Sequence, residues 1–348
     1  MDREQAYQSH LEQKSRSLHS ELDRLGYGSC RPMILHAPLE GGFRSRAKFK
    51  IYTDPETIRV CGTDPAAGEV PVEDMLWILP GWARDVIRKL QTSLLSSYAD
   101  LPVDGFEVKL AHGRQELHIS LSVNREKGER SHEPLAAEIL SRIPETLGVA
   151  VPSRRESFGD EWIRHWIDGR EFLAHHSAFF QSHPGLTSPL LQEVRNISRV
   201  SEGRAIVDLY CGVGLFSLFL GSPDTPVLGV DHHAKAVDSA RLNAERMGFS
   251  RARYICAAVE ARIPKIDMRP HDLVILDPPR SGCRAQTIRA IAALNPREVC
   301  LVSCFPQTHF RDLEVWRSAG YSLRRISALD MFPFTRFLET VSLLERRD

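Results

Sequence analysis

The sequence predicts an α/β fold in which a doubly wound parallel sheet follows a smaller α+β domain. After Pro184, short apolar runs of strand length alternate with amphipathic segments of helical length, a pattern typical of parallel strands joined by crossover helices. Before that point, several alternating strands surround two helical segments, which indicates an α+β arrangement. The 348 residues leave room for both parts, and the hydrophobic fraction of 42% is that of an ordinary globular protein.

We divide the chain into an N-terminal helix at residues 1–26, an α+β domain at 27–170 and the doubly wound domain at 171–348. The helix is predicted from Arg3 to Leu25, and Gly26 is a C-terminal stop signal. Its apolar positions recur at helical spacing: Tyr7, Leu11, Leu18, Leu22 and Leu25. Its other faces are charged, as is typical of a solvated surface.

Further elements are predicted from periodicity and from turn residues. In the α+β domain we predict strands at Thr57–Cys61, Phe106–Leu110 and Glu116–Val123, and helices at Trp82–Tyr98 and Glu133–Arg142. In the doubly wound domain we predict strands at Ala205–Leu209, Val227–Asp231, Arg253–Cys256, Leu273–Leu276, Val299–Ser303, Ser322–Ala328 and Glu339–Leu344. Its helices are predicted at Leu186–Ser198, Leu215–Leu220, Lys235–Met247, Gln286–Leu294 and Thr308–Ser318.

The composition argues against a disulfide-rich protein, a protein with a cysteine-bound metal site and a membrane protein. The seven cysteines are odd in number, irregularly spaced and never in C-x-x-C spacing, so we expect neither a disulfide framework nor a zinc or iron–sulfur site. His112, His118 and His132 are scattered, and we assign them no metal. No apolar run is long enough to span a bilayer and the start does not resemble a signal peptide, so we expect a cytoplasmic protein.

One strand carries a local basic patch. The 45 basic and 45 acidic residues balance, so any contact with nucleic acid has to come from such a patch. From Phe43 to Tyr52, cations at Arg44, Arg46, Lys48 and Lys50 alternate with apolar residues, and no acid lies among them. Contact with RNA phosphates and a Lys/Arg-protected edge strand are equal alternatives for this pattern.

The segment from Glu298 to Pro306 ends in a cysteine at the place where a strand gives way to a loop. Ligands of open parallel sheets bind outside the carboxyl ends of the strands, which is where Cys304 is predicted to lie. Cys300, inside the same apolar run, is interpreted as a small buried hydrophobic residue. Cys304 is therefore a candidate functional residue.

A glycine turn follows the first strand of the doubly wound domain. Gly212 and Gly214 allow close approach of a ligand, and Asp231, at the end of the next strand, is suited to accept hydrogen bonds from ribose hydroxyls. A nicotinamide dinucleotide would also fit this pattern, but G-x-G-x-x-G is not met and Asp208 is a poor neighbour for a pyrophosphate. The turn favours S-adenosylmethionine.

A third stretch, Asp277-Pro278-Pro279-Arg280, follows an apolar strand. Consecutive prolines stiffen the loop and remove two N–H donors, which leaves a carboxylate and backbone carbonyls facing the ligand. A structural turn is the alternative, but this sequence at a strand end favours a contact with the base that is modified.

Together these stretches resemble the motif series of the RNA uracil carbon-5 methyltransferases, the 5-methyluridine enzymes of tRNA and 23S rRNA. The motifs are Asp208–Gly214, Asp277–Gly282, Ser303–Pro306 and Asp330–Thr335 with Glu339–Val341, accompanied by Phe179-Phe180-Gln181 and by Phe43–Lys50. The resemblance is dense over residues 158–345. It implies a Rossmann-like methyltransferase sheet, an RNA substrate from tRNA or 23S rRNA, and a monomer without membrane contact.

The resemblance also implies a role for individual residues. Cys304 would be the nucleophile and Glu339 the proton acceptor. The residues implied to contact S-adenosylmethionine are Gln181, Tyr210, Gly212, Asp231 and Asp277. Arg44 and Arg46 would contact the RNA.

The sequence departs from the family pattern at a few positions. Phe305 stands where Asn or Asp is usual, Leu215 where Asn is usual, and Arg336 and Phe337 where polar residues are usual. Cys30 and Cys61 cannot form the four-cysteine iron–sulfur motif of many relatives, and the helical start leaves no N-terminal RNA-binding barrel. Two alternatives stay open, namely a catalytically silent RNA-binding relative and an amino-methyltransferase that acts on another base.

Overall fold

The computed structural model of the chain describes residues 3–53, 58–64, 68–91, 103–123, 131–198, 204–267, 269 and 272–347. The chain forms two compact units. The C-terminal unit comprises residues 1–39, 177–180 and 185–348, and the central unit comprises residues 40–176 and 181–184. The predicted boundaries at 26 and 170 differ from these, because the first helix belongs to the C-terminal unit and residues 171–176 belong to the central unit.

An eight-stranded sheet forms the centre of the C-terminal unit, in the order β1-β16-β17-β15-β14-β11-β12-β13. Its strands are β1 Ile34–Leu35, β11 Ile206–Leu209, β12 Val227–Asp231, β13 Ala252–Cys256, β14 Leu273–Leu276, β15 Glu298–Ser303, β16 Tyr321–Leu329 and β17 Glu339–Arg346. The strands from β15 to β13 are parallel, whereas β17 is antiparallel to both β15 and β16. The start of β17 therefore lies at the edge where β15 ends.

Helices cover this sheet and bury its apolar strands, which is why those strands read as continuous apolar runs. The helices are α1 Arg3–Arg24, α5 Pro184–Ser198, α6 Leu215–Leu220, α7 Ala234–Arg246, α8 Val259–Arg262, α9 Ala285–Ala293 and α10 Pro306–Ser318, with a 3-10 turn at Ile263–Lys265. The predicted α/β fold class is confirmed, and every strand and helix predicted for the sheet is present within two residues of its predicted ends. None of the described helices is long and apolar enough to cross a membrane.

Helix α1 packs into the core of this unit. Leu18 and Leu22, which are 1% and 0% exposed, share a cluster with Trp316 of α10. Full burial of one leucine side chain stabilises a fold by about 1.5–3 kcal/mol. Gly26 ends the helix with a φ of +78°, as its C-terminal stop signal predicts.

The charged face of α1 is not wholly solvated, contrary to the sequence-based expectation. Lys14 is only 7% exposed, and its ammonium group lies 2.7 Å from Oδ1 of Asp330, which is fully buried. The same ammonium donates to the carbonyl oxygens of Phe332 at 3.0 Å and Phe337 at 2.7 Å. The Tyr7 hydroxyl donates to Oδ2 of Asp330 at 3.0 Å. Helix α1 thus holds both ends of the loop that leads into β17.

The central unit is built on a seven-stranded sheet in the order β4-β3-β2-β5-β6-β7-β8, beside a two-stranded hairpin. Its strands are β2 Arg46–Thr53, β3 Ile58–Asp64, β4 Gly68–Val70, β5 Val103–Leu110, β6 Leu117–Val123, β7 Thr146–Val151, β8 Glu156–Gly159, β9 Trp162–Ile167 and β10 Arg170–His175. Its helices are α2 Val72–Ile78, α3 Gly81–Lys89 and α4 Glu133–Arg142. The first part of the predicted helix Trp82–Tyr98 corresponds to α3, and its residues 92–98 lie outside the described residues. Thr57, the first residue of the predicted strand Thr57–Cys61, also lies outside them.

The hairpin β9–β10 explains why the predicted boundary at residue 170 is displaced. Arg170 pairs with Ile167 across a two-residue turn, and the turn residues Asp168 and Gly169 have φ values of +47° and +79°. Asp-Gly between two alternating strands is a strong signal for such a turn, because both of its central residues need a positive φ. The segment that resembled an inter-domain junction is the tip of a hairpin within the central unit.

The basic strand β2 has the predicted alternation, with Phe49 and Ile51 buried and the cations outside. It lies between β3 and β5, so the alternative of a protected edge strand is wrong. Acids on two other strands of the sheet, the adjacent β5 and the more distant β4, pair with its cations. Glu107 of β5 contacts Arg46 and lies 4.0 Å from Lys48, and Glu69 of β4 lies 3.1 Å from Lys50.

Candidate active site

The antiparallel pairing of β15 and β17 brings Cys304 next to Glu339. In the register of this pair, Ser303 lies opposite Thr340, and the Thr340 hydroxyl donates to the Ser303 carbonyl at 3.0 Å. The amide of Leu338 donates to the carbonyl oxygen of Cys304 at 3.2 Å. The end of one strand and the start of the other are thus fixed together by backbone contacts.

The Asp-Pro-Pro-Arg loop contributes the third wall of this site. Strand β14 is parallel to β15, so Asp277 leaves the sheet beside the strand that ends before Cys304. The Arg280 guanidinium interacts electrostatically with the thiol of Cys304, which lowers the pKa of that thiol, and lies 3.9 Å from the ring centroid of Phe337. Pro278 is buried and Pro279 exposed, which is consistent with a stiff loop at the rim.

Burial and neighbouring carboxyl groups keep the reactive groups neutral in the free protein. Burial raises the pKa of Cys304 to about 12, with Glu339 and Asp277 adding to the rise and Arg280 opposing it. Burial, and then Asp277, raise the pKa of Glu339 well above its usual range. Glu339 is 2% exposed, and its Oε1 accepts no hydrogen bond from any described residue. A cation or a donor brought by a ligand would favour ionisation of both groups.

The glycine turn after β11 lies at the same edge of the sheet, because β11 is the parallel neighbour of β14. Tyr210, Gly212 and Gly214 all have positive φ values, and a Cβ built on Gly212 would meet no atom within 4 Å. The space in front of Gly212 is therefore open to a ligand. The Tyr210 hydroxyl donates to Glu260 at 3.4 Å.

Asp231 both shapes this turn and faces the same edge. Its Oδ2 accepts the Gly212 amide at 3.0 Å, and its Oδ1 accepts the His233 amide at 2.8 Å. Each carboxylate oxygen has further acceptor capacity for a ligand hydroxyl. Asp208, fully buried one strand away, accepts the Ser217 amide at 3.2 Å, and burial raises its pKa to about 6. Carboxyl groups at this edge suit a ligand that offers hydroxyl donors and carries no phosphate.

The predicted site residues fall into two groups. Cys304, Glu339 and Asp277 are brought together, and Tyr210, Gly212 and Asp231 lie on the adjoining strand ends. The remaining three belong to the central unit. Gln181 is 4% exposed and its carbonyl accepts the Ser45 hydroxyl at 3.4 Å, while the Arg44 guanidinium donates to the Ser182 hydroxyl at 3.3 Å. The functional roles of all these residues stay predictions.

Three of the positions that depart from the family pattern, Phe305, Arg336 and Phe337, lie close together, and Phe305 directly follows Cys304. The rings of Phe305 and Phe337 lie 5.3 Å apart, and the Arg336 guanidinium lies 5.1 Å from the Phe305 centroid. The side chains of Phe305, Arg336 and Phe337 thus form one aromatic and cationic cluster. Leu215 is separate from it, buried at the start of α6 with 5% exposure.

Comparison with known proteins finds relatives that are named as RNA methyltransferases. An uncharacterized RNA methyltransferase from Gloeobacter violaceus is 28% identical over 379 residues, which cover 98% of this chain and 79% of that protein. An uncharacterized RNA methyltransferase from Halalkalibacterium halodurans is 32% identical over 244 residues, and one from Thermosynechococcus vestitus is 36% identical over 226 residues. The chain spans 52% and 50% of the lengths of these two relatives.

Among solved structures, the chain resembles the tRNA (uracil-54, C5)-methyltransferase of Pyrococcus abyssi, whose crystal structure is a complex with S-adenosyl-L-homocysteine. The TM-score is 0.75 with 23% sequence identity, over 97% of this chain and 83% of that one. The two chains therefore share a fold. The predicted cofactor, S-adenosylmethionine, is consistent with this fold.

The family described as tRNA (uracil-5-)-methyltransferase matches this chain over residues 6–347. The match covers both compact units, whereas the motif resemblance was dense only from residue 158. The predicted family is thereby confirmed, and with it the prediction of an RNA methyltransferase at the level of the family. The chain belongs to the tRNA (uracil-5-)-methyltransferase family.

Proposed function

We propose that the chain methylates carbon 5 of a uridine in structured RNA, tRNA or rRNA, through a covalent adduct between Cys304 and carbon 6. The observation that carries this proposal is the register of β15 and β17, which brings the end of β15 beside the start of β17. This register supports a reaction in which the Cys304 thiol and the buried carboxyl group of Glu339 act on the same base. Uracil carbon 5 is a poor nucleophile, so a step that raises its electron density has to precede methylation.

The residues at the sheet edge fit a cofactor that is cationic and lacks a pyrophosphate. Gly212 leaves open space, Asp231 can accept ribose hydroxyls, and Asp277 lies beside the thiol. These residues, with Tyr210, would hold S-adenosylmethionine, which supplies the methyl group as an electrophile. A sulfonium beside Asp277 would also favour ionisation of the thiol and of Glu339, because opposite charges stabilise each other.

The chemical steps of the protein follow from this arrangement. The Cys304 thiol loses its proton, and the thiolate adds to carbon 6, which places the electron pair of the carbon 5–carbon 6 bond on carbon 5 and the carbonyl at position 4. Carbon 5 would then take the methyl group of the bound cofactor, and the electrons of the broken carbon–sulfur bond would stay on the sulfur, which leaves as S-adenosylhomocysteine. The Glu339 carboxylate removes the carbon 5 proton, and those electrons re-form the double bond and expel the thiolate. Arg280 is placed to stabilise the thiolate of Cys304 before it adds to carbon 6 and after it is expelled.

The test is trapping with RNA that contains 5-fluorouridine. After methylation carbon 5 carries fluorine in place of the proton, and a base cannot remove it, so the adduct with Cys304 persists through denaturation. We expect a stoichiometric enzyme–RNA band that requires both the cofactor and Cys304. An amino-methyltransferase or a silent RNA-binding relative would give no such band. Loss of 5-methyluridine from tRNA or rRNA of a deletion strain would identify the RNA.

The cofactor assignment predicts a binding defect for Asp231→Ala. One hydrogen bond to a charged group contributes about 1.5–3 kcal/mol, so we expect S-adenosylmethionine to bind at least tenfold more weakly in calorimetry. Asp224→Ala, which removes an exposed carboxylate of the same unit, is the control and should leave the affinity unchanged. Equal affinities for both variants would remove Asp231 from the cofactor site.

The basic strand predicts a change in the salt dependence of RNA binding. We expect Arg44→Ala with Arg46→Ala to weaken binding and to flatten the log–log slope by up to about two units. Because Glu107 pairs with Arg46, Glu107→Gln should strengthen RNA binding by releasing that cation. Arg142→Ala, which removes an exposed cation on α4, serves as the control. An unchanged slope in the double variant would show that neither Arg44 nor Arg46 contacts a phosphate.

A further inference from the structure

A cluster of metal-binding side chains lies at the open end of the hairpin β9–β10 in the central unit. Glu161 directly precedes β9 and His176 directly follows β10, and the His176 amide donates to the Glu161 carbonyl at 2.9 Å. His175 is the last residue of β10. One ring nitrogen from each histidine and one carboxylate oxygen of Glu161 all lie within 4.8 Å of one another. The cluster shares no residue with the candidate active site and uses no cysteine.

The spacing and chemistry of these three groups suit a four-coordinate metal ion. Imidazole nitrogens and a carboxylate oxygen are ordinary zinc ligands, and bond lengths of about 2.0–2.1 Å place tetrahedral ligands about 3.3 Å apart. His175 Nε2 and Glu161 Oε2 are 3.9 Å apart. The Glu161 side chain is 46% exposed, so a change of its rotamer can close this gap, and solvent can supply the fourth ligand.

The two imidazoles are held in place by packing, whereas the carboxylate can adjust. His175 and His176 are 4% and 8% exposed. The ring of Trp162 meets His175 edge-on at 5.6 Å, and the ring of His118 lies parallel to that of His176 at 4.4 Å. Such support fixes the orientation of ligand rings, as neighbouring groups do in known metal sites.

Charge in the surroundings favours a site with one anionic ligand. Lys109 donates to the carbonyl oxygen of His176 and is a nearby cation. The carboxylate of Glu161 offsets the charge of this lysine.

We propose that Glu161, His175 and His176 bind a divalent transition-metal ion of the Zn²⁺ class, which fastens the start of β9 to the end of β10. This departs from the expectation of no metal site, which rested on cysteine spacing and on His112, His118 and His132. The consecutive histidine pair becomes a metal site only through the strand pairing that places Glu161 opposite it.

The test uses the full-length chain after chelator treatment and dialysis. Calorimetric titration with Zn²⁺ should show one saturable site with a dissociation constant in the micromolar range or tighter. His176→Ala should weaken this binding at least tenfold, and Glu161→Gln several-fold. With Co²⁺ as the probe, visible d–d bands of tetrahedral intensity should appear in the unaltered chain and be lost in His176→Ala.

Control variants make the outcome decisive. His36→Ala removes an exposed histidine of the other unit and should leave Zn²⁺ binding unchanged. If His176→Ala fails to fold, Glu161→Gln still tests the site, because its side chain is half exposed and its backbone contact is kept. The proposal is overturned if no saturable binding occurs, or if Glu161→Gln binds Zn²⁺ as tightly as the unaltered chain.

Discussion

Cys304→Ala should bind RNA and S-adenosylmethionine but form neither adduct nor product, whereas Glu339→Gln should accumulate a covalent complex with natural uridine. Without the thiol there is no addition to carbon 6, so methyl transfer should fall below detection. Without the carboxylate, addition and methyl transfer can proceed, but the carbon 5 proton stays and the thiolate cannot leave. Loss of a general base typically lowers the rate by about 10²–10⁴-fold. Transfer of labelled methyl groups and denaturing gels would measure both effects.

Two control variants separate these effects from general damage to the sheet. Cys300→Ala changes a fully buried cysteine of the same strand, and Glu345→Gln changes a carboxyl group of the same strand as Glu339. Both should keep most of the activity and give no trapped species with natural uridine. An active Cys304→Ala enzyme would refute the covalent mechanism. Normal turnover by Glu339→Gln would leave the nucleophile in place and assign the base to another residue, with Asp277 as the nearest carboxyl group.

Local sequence signals were sufficient for the parallel sheet and for the candidate nucleophile. Each buried strand is a short apolar run between turn residues, so its limits can be predicted without knowledge of its partners. Cys304 follows such a run, and the edge at which it lies follows from the general rule for parallel sheets. The proximity of Glu339 is different, because it depends on β17 running antiparallel beside β15, and no local signal gives that pairing.

Two failures of prediction share a cause, since both depend on a partner distant in sequence. The cations of β2 were identified, but Glu107 and Glu69, which pair with them, come from two other strands of the sheet. Lys14 lies on a helix face that looked solvated, and its partner Asp330 is near the other end of the chain. The hairpin at Asp168-Gly169 is an exception, because its turn signal is local and could have been used.

Lys14→Met should destabilise the C-terminal unit by about 3–5 kcal/mol, because it leaves the carboxylate of Asp330 buried without its cation. The carbonyl oxygens of Phe332 and Phe337 lose their donor as well, so the loop before Glu339 should loosen. Urea denaturation followed by far-UV circular dichroism measures the stability. Hydrogen exchange should show faster exchange at the start of β17, and the rate of methyl transfer should fall even where the protein remains folded.

Two further variants distinguish the effect of an unpaired buried charge on stability from the effect of lost side-chain packing. Lys235→Met changes an exposed lysine on α7 and should alter the stability by less than about 0.5 kcal/mol. Combining Lys14→Met with Asp330→Asn removes the uncompensated charge but keeps an acceptor for the Tyr7 hydroxyl, so part of the stability should return. If Lys14→Met were as mild as Lys235→Met, the ammonium group of Lys14 would contribute little to the stability of the unit and would have no part in placing Glu339.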